Sequence, residues 1–140
     1  MLDAVLYQRS LGEAGNSKKD VAVGKFSEPT HKEMLEAWTP LVSIAQARGV
    51  QVPSEVSKSE KSEFEKLGKV KSDKYVAEYF QLAAKQSKRN ARALDAAAKA
   101  FVDPELKTMA TNLAKAINAQ AEKSEATYKE LKAPKKDAKK

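Results

Sequence analysis

The stretch that decides the fold is residues 72–101, SDKYVAEYFQLAAKQSKRNARALDAAAKAF. Its apolar and small side chains recur at steps of three and four residues, which places them on one face of a helix. This stripe consists of Val76, Phe80, Ala83, Ser87, Ala91, Leu94, Ala98 and Phe101, flanked by Tyr75, Tyr79 and Leu82. The spacing predicts a long amphipathic helix that begins after Ser72 and ends near Val102.

The segments on either side of this helix carry clear helix boundaries. Asp103-Pro104-Glu105-Leu106 combines a capping residue, a proline suited to the first helical position and an acidic residue at the positive end of the helix dipole. It predicts a further long helix that ends before Pro134. Residues 54–68 are rich in Ser, Lys and Glu, and they predict a short, weakly held helix that ends at Gly68.

Two helices are predicted in the first third of the chain. The first covers about residues 2–13 and is followed by a break at Gly15-Asn16-Ser17. Residues 18–29 fit either a helical turn or an ordered loop. The next helix is predicted to begin at Thr30-His31-Lys32-Glu33, which matches the capping-box pattern, and to end at Gly49 with a kink at Pro40.

Together these segments predict an all-α protein. Short connections between long helices favour an antiparallel four-helix bundle, with a kinked second helix and a short extra helix. With 140 residues the chain is long enough for one buried core, and we expect a single domain over residues 1–132. The lysine-rich residues 133–140 are expected to be a disordered tail.

Composition narrows the classes of protein. Hydrophobic residues make up 41% and charged residues 32%, and there is no cysteine, which excludes disulfides and thiolate chemistry. No apolar run reaches the roughly 20 residues that span a bilayer. The first fifteen residues lack the features of a signal peptide, so we expect either a cytoplasmic protein or a mature exported form. The net charge of +7 is confined to the part of the chain after residue 53.

The residue types that support catalysis are scarce. The single histidine, His31, forms Glu-x-x-His with Glu28, the pattern of di-iron bundles, but that chemistry needs a second such motif and further carboxylates. We therefore treat Glu28 and His31 only as weak metal candidates. The sequence has no Gly-x-Ser-x-Gly elbow and no phosphate-binding glycine loop. We expect no catalytic residues, no cofactor and no enzymatic activity.

Polar residues interrupt the apolar stripes of the two long C-terminal helices. Their positions, together with Met34 on the second helix, predict a polar layer in the core: Gln86, Ser87, Asn90, Gln120 and Ser124. Buried polar groups need hydrogen-bond partners, so such a layer either encloses a small ligand or fixes the register of the helices. The register interpretation is the one we favour.

A basic row lies on the third long helix. It consists of Lys85, Lys88, Arg89 and Arg92, with no acidic residue between Glu78 and Asp95. With Lys135, Lys136, Lys139 and Lys140 it could bind phosphates or other polyanions, such as an anionic polymer or a membrane surface. No aromatic residues are interleaved for stacking on bases, so sequence-specific nucleic-acid binding is not expected. A solvated helix face is the default interpretation.

Several motifs together resemble a known bacterial family. They are Leu41, Ala45 and Gly49 leading into Val50-Gln51-Val52-Pro53, then Asp73-Lys74-Tyr75-Val76, and Asp103-Pro104-Glu105-Leu106-Lys107 with Ala110. In these motifs, over residues 20–122, the chain resembles the "predicted outer membrane protein" family, a domain of unknown function. The resemblance implies a ferritin-like four-helix bundle, export to the periplasm or cell envelope, and no established reaction.

The resemblance also implies histidines on the inner helix faces. Here those positions fall near Met34, near Gln86 or Ser87, and at Gln120, and none is histidine. The sequence therefore leads us to expect a non-enzymatic, exported helical bundle of binding or structural type, with a homo-oligomer as one form. The alternatives are a basic anion-binding module and a degenerate ferritin-like metal-binding protein.

Overall fold

A computed structural model describes residues 1–18 and 20–132, and this part of the chain contains five α-helices and no strand. The helices are α1 (Leu2–Ser17), α2 (Val21–Ala47), α3 (Lys58–Gly68), α4 (Ser72–Ala100) and α5 (Pro104–Lys132). The predicted all-α class is confirmed, with four long helices and one short one. The predicted tail, residues 133–140, lies outside the described residues.

Helix α2 begins earlier than the sequence suggested. The Asp20 carboxylate caps the helix by accepting a hydrogen bond from the Val23 backbone N–H at 3.0 Å. Burial of Val23 and Phe26 then holds this first part of α2 against the core. The capping box predicted at Thr30–Glu33 is therefore wrong: Thr30 is a buried residue inside the helix, not its cap.

Two prolines lie inside α2, and both are exposed to solvent. Pro29 and Pro40 each lack the N–H that would bond the carbonyl four residues earlier, at Lys25 and Glu36. Those two residues are exposed as well, so water can satisfy the freed carbonyls. The helix continues through both positions to Ala47, and Gly49, just beyond the helix end, has the φ of 70° that suits a glycine there. The bend expected at Pro40 stays a prediction.

Helix α1 continues through the segment predicted to break it. Gly15 lies inside the helix, and α2 packs directly against it. A Cβ atom at Gly15 would come within 2.4 Å of Ser27 Cβ and 2.7 Å of the Tyr79 hydroxyl. A Cβ atom at Gly12 would come within 2.8 Å of the His31 backbone. Glycine thus permits the close approach of α1 and α2, and its presence here does not signal a turn.

The helix start predicted at Asp103-Pro104 is confirmed. Asp103 Oδ1 accepts hydrogen bonds from the backbone N–H groups of Glu105 at 2.8 Å and Leu106 at 3.2 Å, as expected of a cap before α5. Ser57 and Glu60 form a full capping box at the start of α3. The short helix predicted within residues 54–68 is α3, which begins at Lys58 and ends at Gly68 as expected.

The helices pair as two hairpins. In the α4–α5 hairpin, close packing is achieved by buried alanines on both helices: Ala84, Ala91, Ala98, Ala110, Ala114 and Ala121. In the α1–α2 hairpin, Gly12 and Gly15 serve the same purpose. Large side chains fill the space between the two hairpins. They form two hydrophobic clusters, one near each end of the long helices.

The aliphatic cluster lies at the end where α1 begins and α4 ends. Its buried members are Ala4, Val5, Met34, Leu41, Ala91, Leu94, Leu113, Ala114 and Ile117. The aromatic cluster lies at the opposite end. Its buried members are Tyr7, Leu11, Val23, Phe26, Leu67, Tyr75, Tyr79, Phe80 and Ala83.

The short helix α3 packs over α1 and α4 beside the aromatic cluster. The Phe64 ring lies 5.0 Å from the Tyr7 ring, measured between centroids. The Glu63 carboxylate accepts hydrogen bonds from Gln86, and Glu60 forms an ion pair with Arg89. Among the described residues, no helix is both long enough and apolar enough to cross a membrane.

Candidate functional site

A buried glutamine links three helices in the space between the two clusters. Gln8 of α1 is fully buried, and its Nε2 donates to Ser87 Oγ at 3.0 Å and to Gln120 Oε1 at 2.7 Å. Asn90 Nδ2 donates to Gln8 Oε1 at 2.9 Å. Gln120 Nε2 donates in turn to Glu33 Oε1 at 2.7 Å, so the network reaches α2 and the surface. We call these five residues the glutamine layer.

The other residues of the predicted polar layer lie elsewhere. Gln86 donates to both carboxylate oxygens of Glu63 at 3.1 Å, away from the layer. Ser124 donates to the Gln120 backbone carbonyl at 2.8 Å within its own helix. Met34 is fully buried in the aliphatic cluster. The structure therefore brings together Ser87, Asn90 and Gln120 and leaves the other three outside.

Sequence reasoning missed two members of the layer. Gln8 interrupts the apolar stripe of α1 between Ala4 and Leu11, which is the same signal that pointed to Gln120 on α5. Glu33 was assigned to a helix cap, although the helix already begins at Val21. A search for polar interruptions on every helix would have found Gln8, whereas Glu33 lies on an exposed face and gave no such signal.

The chemistry of the layer does not suit the metal site of ferritin-like bundles. Its buried members are amides and a hydroxyl, and their hydrogen bonds are made to one another. Carboxylate and imidazole ligands are what such a site needs. Within residues 1–18 and 20–132, no group of three or more His, Cys, Asp or Glu side chains could hold a metal ion. The residues present do not fit the metal.

The weak metal candidates do not form a site with the layer. Glu28 is exposed on α2. His31 is partly buried, and its Nε2 lies 3.6 Å from Glu13 Oε1 on α1. The histidine thus lies at the α1–α2 seam beside Gly12.

The tyrosine hydroxyls of the aromatic cluster differ in their partners. Tyr79 donates to the Leu11 carbonyl at 2.6 Å and Tyr75 to the Ala14 carbonyl at 3.3 Å. The buried Tyr7 hydroxyl has no hydrogen-bond partner among the described residues. Burial raises the pKa of all three hydroxyls, that of Tyr75 to about 12. The Glu63 carboxylate raises the pKa of Tyr7 further, while Arg89 lowers it.

The basic row is partly neutralised within the chain. Lys88 forms an ion pair with Glu125 of α5, and Arg89 lies 2.7 Å from Glu60 of α3. Lys85 and Arg92 are exposed, and no ion pair of theirs is found within the described residues. The lysines of the tail that were predicted to extend this row lie outside the described residues.

A groove opens at the end of the molecule next to the aliphatic cluster, and we call it the end groove. Its volume is about 750 Å³. The N-terminal end of α1, the C-terminal end of α2, the connection that follows α2 and the α4–α5 turn form its walls. Its apolar lining is Leu2, Leu41, Ile44, Ala45, Val50, Val52, Pro53, Phe101 and Leu106, together with Met1.

Polar groups of the end groove stand at its rim. Arg48 Nη2 lies 2.6 Å from Asp103 Oδ2, so this ion pair joins α2 to the α4–α5 turn. Asp3, Gln51, Ser54 and Glu55 complete the polar lining. Apolar walls with a few polar groups at the edge, within a volume of a few hundred to a thousand Å³, are typical of small-molecule sites.

A second cleft lies beside the first, between α1 and α3. This side cleft has a volume of about 490 Å³. Its floor is apolar and is formed by Leu6, Ala14, Val56 and Phe64, whereas charged side chains form its walls: Arg9, Glu13, Glu55, Lys61 and Glu65. Ser54 and Glu55 line both clefts, so only the segment that contains them separates the two.

Comparison with known proteins yields a family. The sequence model of the family described as Domain of unknown function (DUF4142) matches residues 1–127. The chain belongs to this family. No curated protein and no solved structure matches the chain. The DUF4142 match includes α1 to α4 and most of α5, so the glutamine layer and both clefts lie within the DUF4142 region.

Proposed function

We propose that this DUF4142 chain is a non-enzymatic binding protein that holds the apolar part of a small ligand in the end groove. The observation that carries the proposal is the groove itself: about 750 Å³ of concave space with predominantly apolar walls. Burying apolar ligand surface there is favourable by about 25 cal/mol per Å². Val50 on the groove wall is 51% exposed, so the ligand would also cover apolar protein surface.

The interior of the molecule is a less favourable place for a ligand than the end groove, and this supports the same assignment. The glutamine layer fills the core between the clusters with residues that satisfy one another, and Gln8 and Ser87 are fully buried. A ligand bound there would have to break several buried hydrogen bonds, each of which costs free energy when left unmade. The end groove requires no such exchange, because its polar groups already face solvent at the rim.

The proposal of a non-enzymatic role rests on the chemistry of the groove lining. The rim carries one arginine, paired with Asp103, and carboxylates that are exposed to water. The single histidine lies on the α1–α2 seam beside Glu13, outside the groove. Binding by burial of apolar surface is what such a lining supports.

The proposal is tested by titrating the protein with an uncharged naphthylamine dye, whose fluorescence rises in apolar surroundings. We compare the native chain with Val50→Asp, which places a carboxylate on the groove wall. The matched control is Val21→Asp, because Val21 is 76% exposed at the start of α2 and does not line the groove.

The native chain and Val21→Asp should bind the dye with the same affinity, and Val50→Asp should bind at least about tenfold more weakly. The three proteins should have similar melting temperatures without dye, since both valines are exposed. Equal dye affinity for Val50→Asp and Val21→Asp would refute the assignment of the groove, as would a native chain that binds no dye.

We further propose that the four long helices form a ferritin-like antiparallel bundle and that the protein acts in the periplasm or cell envelope of a bacterium. The helix lengths support the arrangement: α1 has 16 residues, α2 has 27, and α4 and α5 have 29 each. The sequence resemblance described above supports the compartment. An experimental structure tests the arrangement, and fractionation of cells that express the full gene tests the compartment.

The anion-binding alternative receives less support from the basic row. Lys88 and Arg89 are held by Glu125 and Glu60, so a polyanion would have to compete with two internal ion pairs. If the row did bind a polyanion, affinity would fall steeply with salt. The same salt change should leave dye binding in the end groove almost unchanged, which separates the two functions.

A further inference from the structure

The floors of the two clefts follow each other along α1 and are apolar except at Ser10. Leu2 lines the end groove, and Leu6, Ser10 and Ala14 line the side cleft. These four residues follow one another at steps of four, so they form one ridge on the same face of the helix. From Leu2 to Ala14 the ridge extends over about 18 Å at the α-helical rise.

The opposite wall continues in the same way. Val52 lines the end groove, Val56 lines the side cleft, and Phe64 of α3 extends the apolar surface beyond Val56. The two clefts therefore lie end to end along α1. Residues 51–56 of the connection between α2 and α3, which we call the connector, lie between them.

The connector is held weakly. Its backbone makes no hydrogen bond to any part of the chain that the structure describes. Within the described residues, its ion pair is between Glu55 and Lys61 at 3.6 Å, and these side chains are 70% and 58% exposed. Exposed pairs of this kind contribute little to stability. Moving the connector aside thus costs mainly the packing of Val56 against the aromatic cluster and the partial burial of Val52 and Pro53.

Charged side chains are more frequent in the smaller side cleft than in the end groove. The walls of the side cleft carry five of them: Arg9, Glu13, Glu55, Lys61 and Glu65. The larger end groove has Asp3, Arg48 and Glu55 at its rim and is otherwise mostly apolar. A molecule that fits this distribution has a long apolar chain and a polar head that both donates and accepts hydrogen bonds.

We infer that the ligand of this protein is a linear-chain amphiphile that lies along α1 beneath the connector. Its chain occupies the end groove and continues over Leu6, and its head emerges among the charged residues of the side cleft. This inference rests on the proposed function of the end groove and adds to it the shape and chemical class of the ligand.

The test is a chain-length series of uncharged alkyl glucosides: hexyl, octyl, decyl and dodecyl, each below its micelle concentration. Affinities are measured by calorimetry on the whole chain. If the two clefts act as one channel, each added pair of methylenes should tighten binding about tenfold through to dodecyl, because each methylene enters an apolar site.

Two variants fill the side cleft without touching the end groove. Ser10→Trp fills it from α1, and Glu65→Trp fills it from the exposed surface of α3 should the first variant fold poorly. The matched control is Ser43→Trp, an exposed serine of α2 outside both clefts. Filling the side cleft should leave the affinity for hexyl glucoside unchanged and should abolish the increase in affinity with longer chains. Ser43→Trp should still show that increase.

The outcomes separate the two proposals. If no glucoside binds and the dye does not bind either, the proposed function fails and this inference with it. If the glucosides bind but affinity stops rising at short chains, or if Ser10→Trp and Glu65→Trp keep the full gain, the end groove stands and the channel is refuted. A gain that both cleft-filling variants remove supports the channel.

Discussion

The aromatic and aliphatic clusters both join α1, α2 and α4, but they do so by different means. In the aromatic cluster, Tyr79 anchors α4 to the Leu11 carbonyl of α1, and ring pairs such as Phe26 and Phe80 meet edge to face at 5.7 Å. Directional contacts of this kind fix the relative positions of the helices. The buried members of the aliphatic cluster are close-packed aliphatic side chains with no ring pair among them.

The difference agrees with where the clefts lie. The end groove borders the aliphatic cluster through Leu41, a member of both. At this end α2 is tied to the α4–α5 turn by the exposed Arg48–Asp103 ion pair, and exposed pairs contribute little to stability. These helix ends can therefore adjust to a ligand at lower cost than ends tied by buried hydrogen bonds. The glutamine layer lies between the two clusters.

The largest expected effect is the loss of a core ring at the aromatic end. Phe80→Ala should lower the free energy of unfolding by about 3–5 kcal/mol, because it leaves a cavity and removes the edge-to-face contacts with Phe26 and Tyr79. Leu94→Ala in the aliphatic cluster should cost about 2–4 kcal/mol. Urea denaturation measures both. A larger cost for Leu94→Ala would mean that the aliphatic end is the more rigid of the two.

The next effect concerns the close approach of α1 and α2 beside the aromatic cluster. Gly15→Ala should cost about 1–3 kcal/mol, since the new Cβ atom would overlap Ser27 and the Tyr79 hydroxyl. The control is Gly24→Ala in α2, where a Cβ atom meets nothing within 4 Å. That change should stabilise the protein by about 0.5–1 kcal/mol through helix propensity. Thermal unfolding of both variants checks the pair, and two changes of the same sign would contradict the close approach.

Gly15 also shows which parts of the fold could be predicted from the sequence alone. Periodicity found the long helices α4 and α5, because each has a stripe of apolar residues and because Asp103 and Pro104 mark the turn between them. It misplaced the end of α1 and the start of α2, because a glycine that admits a neighbouring helix looks the same in sequence as a glycine that ends one. Only the position of Ser27 against Gly15 distinguishes the two cases.

Some parts of the candidate site could likewise be predicted from the sequence, and others could not. Ser87, Asn90 and Gln120 could be predicted because polar residues stand out in an apolar stripe. The end groove could not, because it is formed by the ends of α1 and α2 with the α4–α5 turn, and no local pattern in Ile44 or Phe101 records that they meet. Surfaces assembled from distant segments need the tertiary structure.

A smaller effect compares two tyrosine hydroxyls within the aromatic cluster. Tyr79→Phe should cost about 1 kcal/mol, because it removes the 2.6 Å hydrogen bond to the Leu11 carbonyl. Tyr7→Phe should cost nothing or should stabilise, because the buried Tyr7 hydroxyl has no partner in the described part of the chain. The midpoints of urea denaturation at neutral pH measure the stability of both variants. A loss on Tyr7→Phe as large as that on Tyr79→Phe would show that both hydroxyls anchor the cluster.

The smallest effect appears only in alkali and again belongs to the aromatic end. Burial, with a further contribution from Asp20, raises the pKa of Tyr75 from 10.0 to about 12, so the folded state holds this proton more tightly than the unfolded chain does. The stability that this pKa shift contributes is complete below pH 10 and is lost as the pH rises through about 12.

The variant Tyr75→Phe has no such alkaline loss of stability, while at neutral pH it gives up only the long 3.3 Å hydrogen bond to Ala14. Denaturation curves of the two proteins should therefore keep a constant separation up to pH 10, and above it the variant should lose less stability. A separation that begins to change below pH 9, or one that never changes, would show that this end of the core does not hold its tyrosine protons as its burial requires. The buried aliphatic cluster contains no tyrosine, so variants there such as Leu94→Ala should follow the native pH dependence throughout.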